Sequence, residues 1–315
     1  MTDLPHHPFR FGLQASSAPD RRSWVELARK VEDLGYATLT VADHLDDQLA
    51  TTPALMAAAE ATTTLRLGAL VWCNDYHHPV VLAKEAATLD LLSEGRLELG
   101  LGAGWQASDY EQAGIPLDRP GVRIDRLGEA VHIVKALLAQ DAPVHLTGEH
   151  YDVRGMVGTP RPVQRPHPPL LIGGGGRRVL SLAAREADIV ALNIDLRSGR
   201  IDATAGPTAT ADATDEKLAW IREAAGERFA HLELQTRIHL AAVTDDRRAL
   251  AEAVGPALGL TPEQAMASPH ALAGTSDEIV EQLLARRQRY GISYIGISAD
   301  AVDAMAPVVD RLAGT

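Results

Sequence analysis

Three short segments of this 315-residue chain carry side chains suited to chemistry. Asp43–His44 places a carboxylate beside an imidazole directly after the apolar run Ala37–Ala42. An imidazole exchanges protons near neutral pH, and a neighbouring carboxylate favours its charged form. Gly173-Gly174-Gly175-Gly176-Arg177-Arg178 follows the apolar Leu170–Ile172. Glycines let backbone approach a ligand closely, and a helix starting there offers unpaired N–H groups to an anion. Two arginines in a first helical turn oppose its dipole, a misfit that a bound phosphate relieves. A tight turn with solvated arginines is the plainer reading. Gly100, Gly102 and Gly104 alternate ahead of Trp105 and Gln106. They fail as a dinucleotide fingerprint, with Trp105 in place and no matching acidic residue. They make either a flat wall for a planar ring or small-residue packing in a crowded interior.

These residues share a structural address. Apolar runs Phe9–Leu13, Ala37–Ala42, Leu65–Trp72, Arg96–Leu101, Leu170–Ile172, Ile189–Leu192, Leu232–Val243 and Ser293–Ile297 read as eight strands. Helix-periodic segments separate them, such as Arg21–Leu34 with Asp20 as N-cap, Pro79–Leu92, Val122–Ala139 and Ser276–Tyr290. Eight alternations predict an α/β fold, a (β/α)8 TIM barrel, in one domain over residues 1–315. Catalytic groups of such barrels sit at the carboxyl ends of the strands, where the three segments fall. Asp75, Tyr76 and His77–His78 fall there too, as pocket or substrate-lining candidates. Two stretches break the pattern as rim insertions: about 141–169, rich in Pro, Gly and His, and about 195–230. The latter's Ala/Thr/Gly/Asp-rich start, Asp195–Thr214, is expected to be a mobile excursion.

Composition narrows the classes. Lys and Arg total 30 against 42 Asp and Glu, a formal charge of −12, which disfavours nucleic acid or an anionic membrane as partner. The single cysteine, Cys73, excludes an intramolecular disulfide. No run reaches the ~18 apolar residues of a membrane span. Met1–Arg10 lacks the apolar core of a signal peptide, so a soluble cytoplasmic protein is expected. No strand carries His-x-His, so no metal site is expected. Glu98, inside a strand, with Asp43 and Asp300 at strand ends, makes a poor glycosidase pair.

Beyond these residues the chain resembles the luciferase-like oxidoreductases, in the branch of probable coenzyme F420-dependent enzymes. The resemblance rests on Ala42–Leu45, Leu67–Val71 running to His78–Pro79, Leu92–Trp105, Pro160–Gln164, Pro169–Gly176 and Tyr290–Tyr294. It implies a barrel whose rim holds a deazaflavin or flavin, with Gly173–Gly176 and Arg177 at the cofactor phosphate. It implies a non-proline cis peptide at about Ala69–Leu70, forming a bulge behind the ring, with Gly102 and Gly104 nearby. His44 is the implied proton donor and Asp43 its orienting carboxylate. Trp72, His78 and Trp105 are the implied substrate-facing residues, and Trp105 stands where sugar-phosphate dehydrogenases of the superfamily carry a catalytic Glu. The activity implied is F420-dependent hydride transfer to or from a small-molecule or natural-product substrate, by reduction of an activated C=C, C=N or C=O bond. The alternatives are an FMN-dependent two-component monooxygenase, supplied by a separate reductase, and a non-catalytic flavin-binding protein. Family habit adds a homodimer. A polyanionic F420 tail would need a basic lip, for which Arg177, Arg178, Arg161 and Arg165 are the candidates.

Overall fold

Alternating apolar runs and amphipathic segments fold here as strands covered by helices, in a computed structural model describing residues 4–315. The strands are β1 (Arg10–Gln14), β2 (Thr38–Val41), β3 (Arg66–Ala69), β4 (Leu97–Gly102), β5 (Leu170–Gly174), β6 (Ile189–Leu192), β7 (Glu233–Arg237) and β8 (Ile292–Ser298). The helices behind them are α1 (Arg21–Asp33), α2 (Thr51–Ala61), α3 (Pro79–Leu92), α4 (Pro120–Ala139), α5 (Arg177–Glu186), α6 (Ala211–Ala225), α7 (Ser276–Tyr290) and α8 (Val302–Leu312). All barrel pairings are parallel; β1 lies between β2 and β8, and β3 pairs with β4, which closes the barrel. This is the predicted (β/α)8 architecture. Helix starts follow their caps: Asp20 accepts from the Ser23 N–H at 2.8 Å, and Thr275 with Glu278 forms a capping box. Among the described residues no helix is long and apolar enough to cross a membrane.

The floor of the barrel is polar. Glu98 points inward from β4 and is bound by Arg10 from β1 and Arg66 from β3, with Tyr294 of β8 donating at 3.3 Å. Arg10 also reaches Glu233 of β7 at 2.6 Å. Burial alone would raise the Glu98 carboxyl, yet Arg10 and Arg66 hold it below its usual range. Glu98 is thus part of the barrel's frame, near the amino-terminal ends of the strands.

Three expectations are corrected. Leu232–Val243 is not one strand: β7 ends at Arg237, and Leu240–Val243 pairs outside the barrel with Ala271–Gly274. A twelve-residue strand would overrun a barrel whose neighbours offer far fewer partners. Asp195–Thr214 is not a free excursion: Ala205 and Ala209 are buried against Ile194, and Asp195 N–H donates to Thr208 at 2.8 Å. The second rim insertion is also shorter than 195–230, since Ala211–Ala225 is the barrel helix α6. Within 141–169, Val144–Thr147 and Asp152–Met156 form an antiparallel hairpin.

The cis peptide lies at Leu70–Val71, one residue beyond its expected place. There β3 bulges inward before Trp72–Cys73 resumes pairing with Leu101 and Gly102. The alternating glycines of β4 fit this bulge rather than forming a bare wall. A Cβ on Gly100 would stand 1.9 Å from the Ala69 carbonyl oxygen, and one on Gly102 would stand 2.4 Å from Val71 Cγ2. Gly100→Ala should therefore destabilise the fold by about 1–3 kcal/mol, from overpacking against backbone. Gly128→Ala on α4, whose added Cβ would have its nearest neighbour at 3.8 Å, should instead stabilise by about 0.5–1 kcal/mol. Urea unfolding of the two variants checks both signs.

Candidate active site

A cavity of about 590 Å³ opens at the carboxyl ends of the strands. Of the expected residues, Asp43, His44, Leu70, Gly102, Gly104, Trp105, Gly173–Gly176 and Arg177 line it. Trp72 does not: its side chain is fully buried in the core, and Cys73 faces the cavity in its place. Successive side chains of an extended segment alternate sides, so only one of that pair can face inward. His78 is exposed outside the cavity, where it caps α3 by accepting from the Val80 N–H at 3.3 Å. Ala69 is buried behind the wall that Leu70 and Val71 form.

Asp43 does not orient His44. Neighbours at a strand end diverge, and Asp43 turns to the chain around it. It accepts from the Cys73 N–H at 2.9 Å and the Thr51 hydroxyl at 3.1 Å, and pairs with His77 at 2.8 Å. It therefore ties the end of β2 to the segment after β3 and to α2. His44 takes its carboxylate from Asp109, with Nδ1 2.8 Å from Asp109 Oδ2. Asp109 also accepts from the Tyr76 hydroxyl at 3.2 Å and Gln106 Nε2 at 2.7 Å. With a carboxylate acceptor at Nδ1, that nitrogen carries the hydrogen, and Nε2 becomes the atom that takes up or releases a proton. Trp105 stands edge-on to the imidazole, ring centres 5.4 Å apart. Burial, then Cys73 and Asp109, push the Tyr76 phenol well above its ordinary range, so it remains a donor.

Sequence reasoning missed Asp109 because it looked for an acid where Trp105 stands. The short helix Ala107–Ala113 brings the carboxylate back over the strand end one turn later. Arg123 was missed as well. It is buried and donates to the carbonyls of Gly104, Ala103 (3.2 Å) and Asp118 (3.0 Å), fixing the loop after β4. Cys73 contacts the Tyr110 hydroxyl at 3.4 Å, and burial pushes its thiol up to about 11, so it is no thiolate at neutral pH.

Elsewhere on the same rim Gly176 is the N-cap of α5 and no side chain caps the helix, leaving first-turn N–H groups free. A Cβ on Gly176 would meet nothing nearer than Asp195 Oδ2 at 3.7 Å, so the backbone is open there. Gly174 and Gly175 serve the loop itself, since their Cβ atoms would stand 2.3 Å from Val179 and 2.2 Å from the Ile194 carbonyl. Arg177 pairs with Glu223 at 3.0 Å and Arg178 with Asp125, both more than half exposed. Free backbone donors beside two cations fit a phosphate. The wider basic lip does not form: Arg161 pairs with Asp141 at 2.9 Å, and neither Arg161 nor Arg165 reaches the cavity.

The remaining wall comes from β6 and β7. Asn193 Oδ1 accepts from the Ile194 N–H at 2.8 Å, which fixes it as an oxygen, so His239 Nε2 donates to it at 2.8 Å. Burial, then Arg237 and Lys217, push His239 down to about 4.

The sequence matches the luciferase-like monooxygenase family over residues 6–293. An uncharacterized protein of Mycobacterium tuberculosis is 37% identical over 135 residues, 42% of this chain and 46% of that protein. An FMNH2-dependent dimethylsulfone monooxygenase of Pseudomonas putida is 27% identical over 191 residues, 56% of this chain and 51% of that protein. The matches thus span about half the length of these curated relatives. The coenzyme F420-dependent tetrahydromethanopterin reductase of Methanopyrus kandleri shares the fold, with a TM-score of 0.78 over 97% of this chain and 100% of that one, at 18% identity.

The His239 environment makes stability depend on pH. Its folded value lies below the unfolded one near 6.5, so between about pH 6.5 and 4 the unfolded chain binds more protons and stability falls as pH falls. Going from pH 7 to pH 5 should cost about 2 kcal/mol at this site. The pH dependence of urea unfolding should shrink by that amount in His239→Asn.

Proposed function

The chain belongs to the luciferase-like monooxygenase family, and from that premise we propose that it is an F420-dependent oxidoreductase. When bound, the deazaflavin supplies two electrons as a hydride, exchanged with an organic substrate at an activated C=C, C=N or C=O bond. The observation carrying this reading is the His44–Asp109 pair at the cavity wall, held by Tyr76 and Gln106. Hydride transfer to a polarised double bond leaves a basic atom that must be protonated, and His44 Nε2 is the group placed to do so. Asp109 fixes the ring and offsets its positive charge. Trp105 and the Leu70–Val71 bulge give the cavity apolar lining. The N-terminus of α5, with Gly176 and Arg177, would hold the cofactor phosphate.

A second reading, an FMN-dependent monooxygenase served by a separate reductase, is favoured by one observation. Arg161 and Arg165 are absent from the lip that a polyanionic tail would use, and Arg161 is paired with Asp141. The Pseudomonas putida relative carries FMNH2 in its name.

Titrating the purified protein with F420 and FMN in parallel, by fluorescence, separates the readings. Tight binding of F420 alone is expected; binding of FMN alone would replace this proposal with the second. His44→Ala and Asp109→Asn should leave cofactor affinity within about threefold and lower turnover by about 10²–10⁴-fold. Asp109→Asn should also shift the pH profile of turnover, which loss of packing alone would not do.

A further inference from the structure

The wall formed by β7 is unexplained by the proton pair or the phosphate rim. Gln235 and Arg237 lie two residues apart on one strand, so both face the barrel interior. Both line the cavity. Gln235 is 1% exposed, and neither its Nε2 nor its Oε1 has a hydrogen-bond partner. Among the described residues it is the one cavity-lining side chain with buried polar atoms left unpaired. Its neighbour on β8 is Gly296, whose Cβ would stand 2.5 Å from Gln235 Nε2, so the strand leaves room for the amide. A buried amide without partners costs about 1–3 kcal/mol, a cost that a ligand can remove.

Arg237 has the same incompleteness in charge. It donates to the Ile238 carbonyl at 2.6 Å and the Ser298 hydroxyl at 2.6 Å, both neutral. Asp300 acts on it only through space. The other arginines of the wall are engaged: Arg177, Arg178 and Arg197 with carboxylates, Arg123 with backbone carbonyls. A largely buried guanidinium without a bonded carboxylate is stabilised by an anion brought to it.

We propose that Gln235 and Arg237 form a subsite for a carboxylate of the substrate, separate from the phosphate rim at Gly176. The substrate class is then an organic acid whose apolar body lies against Leu70, Val71 and Trp105. One carboxylate oxygen takes Gln235 Nε2 and the other takes Arg237, while Gln235 Oε1 accepts from a neighbouring N–H or O–H of the ligand. That the acid is a redox substrate rests on the function proposed above; the binding chemistry does not.

The test is calorimetric, with benzoate and its neutral isostere benzamide as probes, on the purified protein with and without saturating F420 or FMN. Benzoate should bind at least about tenfold more tightly than benzamide. Arg237→Met and Gln235→Glu, the second by placing a negative charge beside the carboxylate, should each weaken benzoate by about tenfold or more. Both should leave benzamide within about twofold. Equal affinity for the two probes, no benzoate binding at tens of millimolar, or benzoate affinity unchanged in both variants overturns the subsite. Displacement of benzoate by either cofactor also overturns it, because the wall would then belong to the cofactor. Failure of both cofactors to bind, with benzoate still discriminated, would defeat the redox reading and leave the carboxylate site standing.

Discussion

Glu98 enters the barrel from β4 and meets Arg10 from β1, Arg66 from β3 and Tyr294 from β8, with Arg10 continuing to Glu233 on β7. Leaving that carboxylate buried without its arginines would be costly, so the strand starts have to stay in register around it. Closure at the floor is therefore ionic and directional, whereas the packing between the strands and the surrounding helices is mainly aliphatic. With one end fastened in this way, the opposite strand ends are free to carry groups chosen for chemistry. Each position on the rim, from His44 to Arg237, depends on that fixed geometry below.

The fold was legible because its periodicity is plain: short apolar runs alternate with capped amphipathic helices, and Asp20 and Thr275 do what their types suggest. Where reading failed, the reasons were physical. Leu232–Val243 contains neither glycine nor proline, and its sequence carries no mark of where the chain leaves one sheet for another. Asp195–Thr214 looked too simple to pack, yet alanines suffice when the surface they meet is Ile194 and the backbone does the bonding. Trp72 and Cys73 show how one residue of phase decides between core and cavity.

The site was half legible for a related reason. Residue types pointed to an imidazole and a glycine-led helix start on the rim, and His44 and Gly176 line the cavity there. Pairing is a matter of direction, which adjacency does not supply. Asp43 is next to His44 in sequence but bonded to Cys73, Thr51 and His77, while Asp109 arrives from 65 residues away. Gln235 and Arg237 drew no attention inside a strand; the unpaired Gln235 amide and the absence of a bonded carboxylate at Arg237 mark them only in three dimensions.

The fit of β4 against the β3 bulge has a consequence for how such a protein can diversify. Gly100 and Gly102 leave no volume unclaimed beside Ala69 and Val71, so this wall of the cavity tolerates almost no larger side chain. Room for changed cavity shape lies instead on the segments that surround this platform, such as the loop after β6 and the end of β7. Descendants of one ancestor could thus part company in chemistry while keeping the same few glycines, a division between a frozen stage and an interchangeable cast.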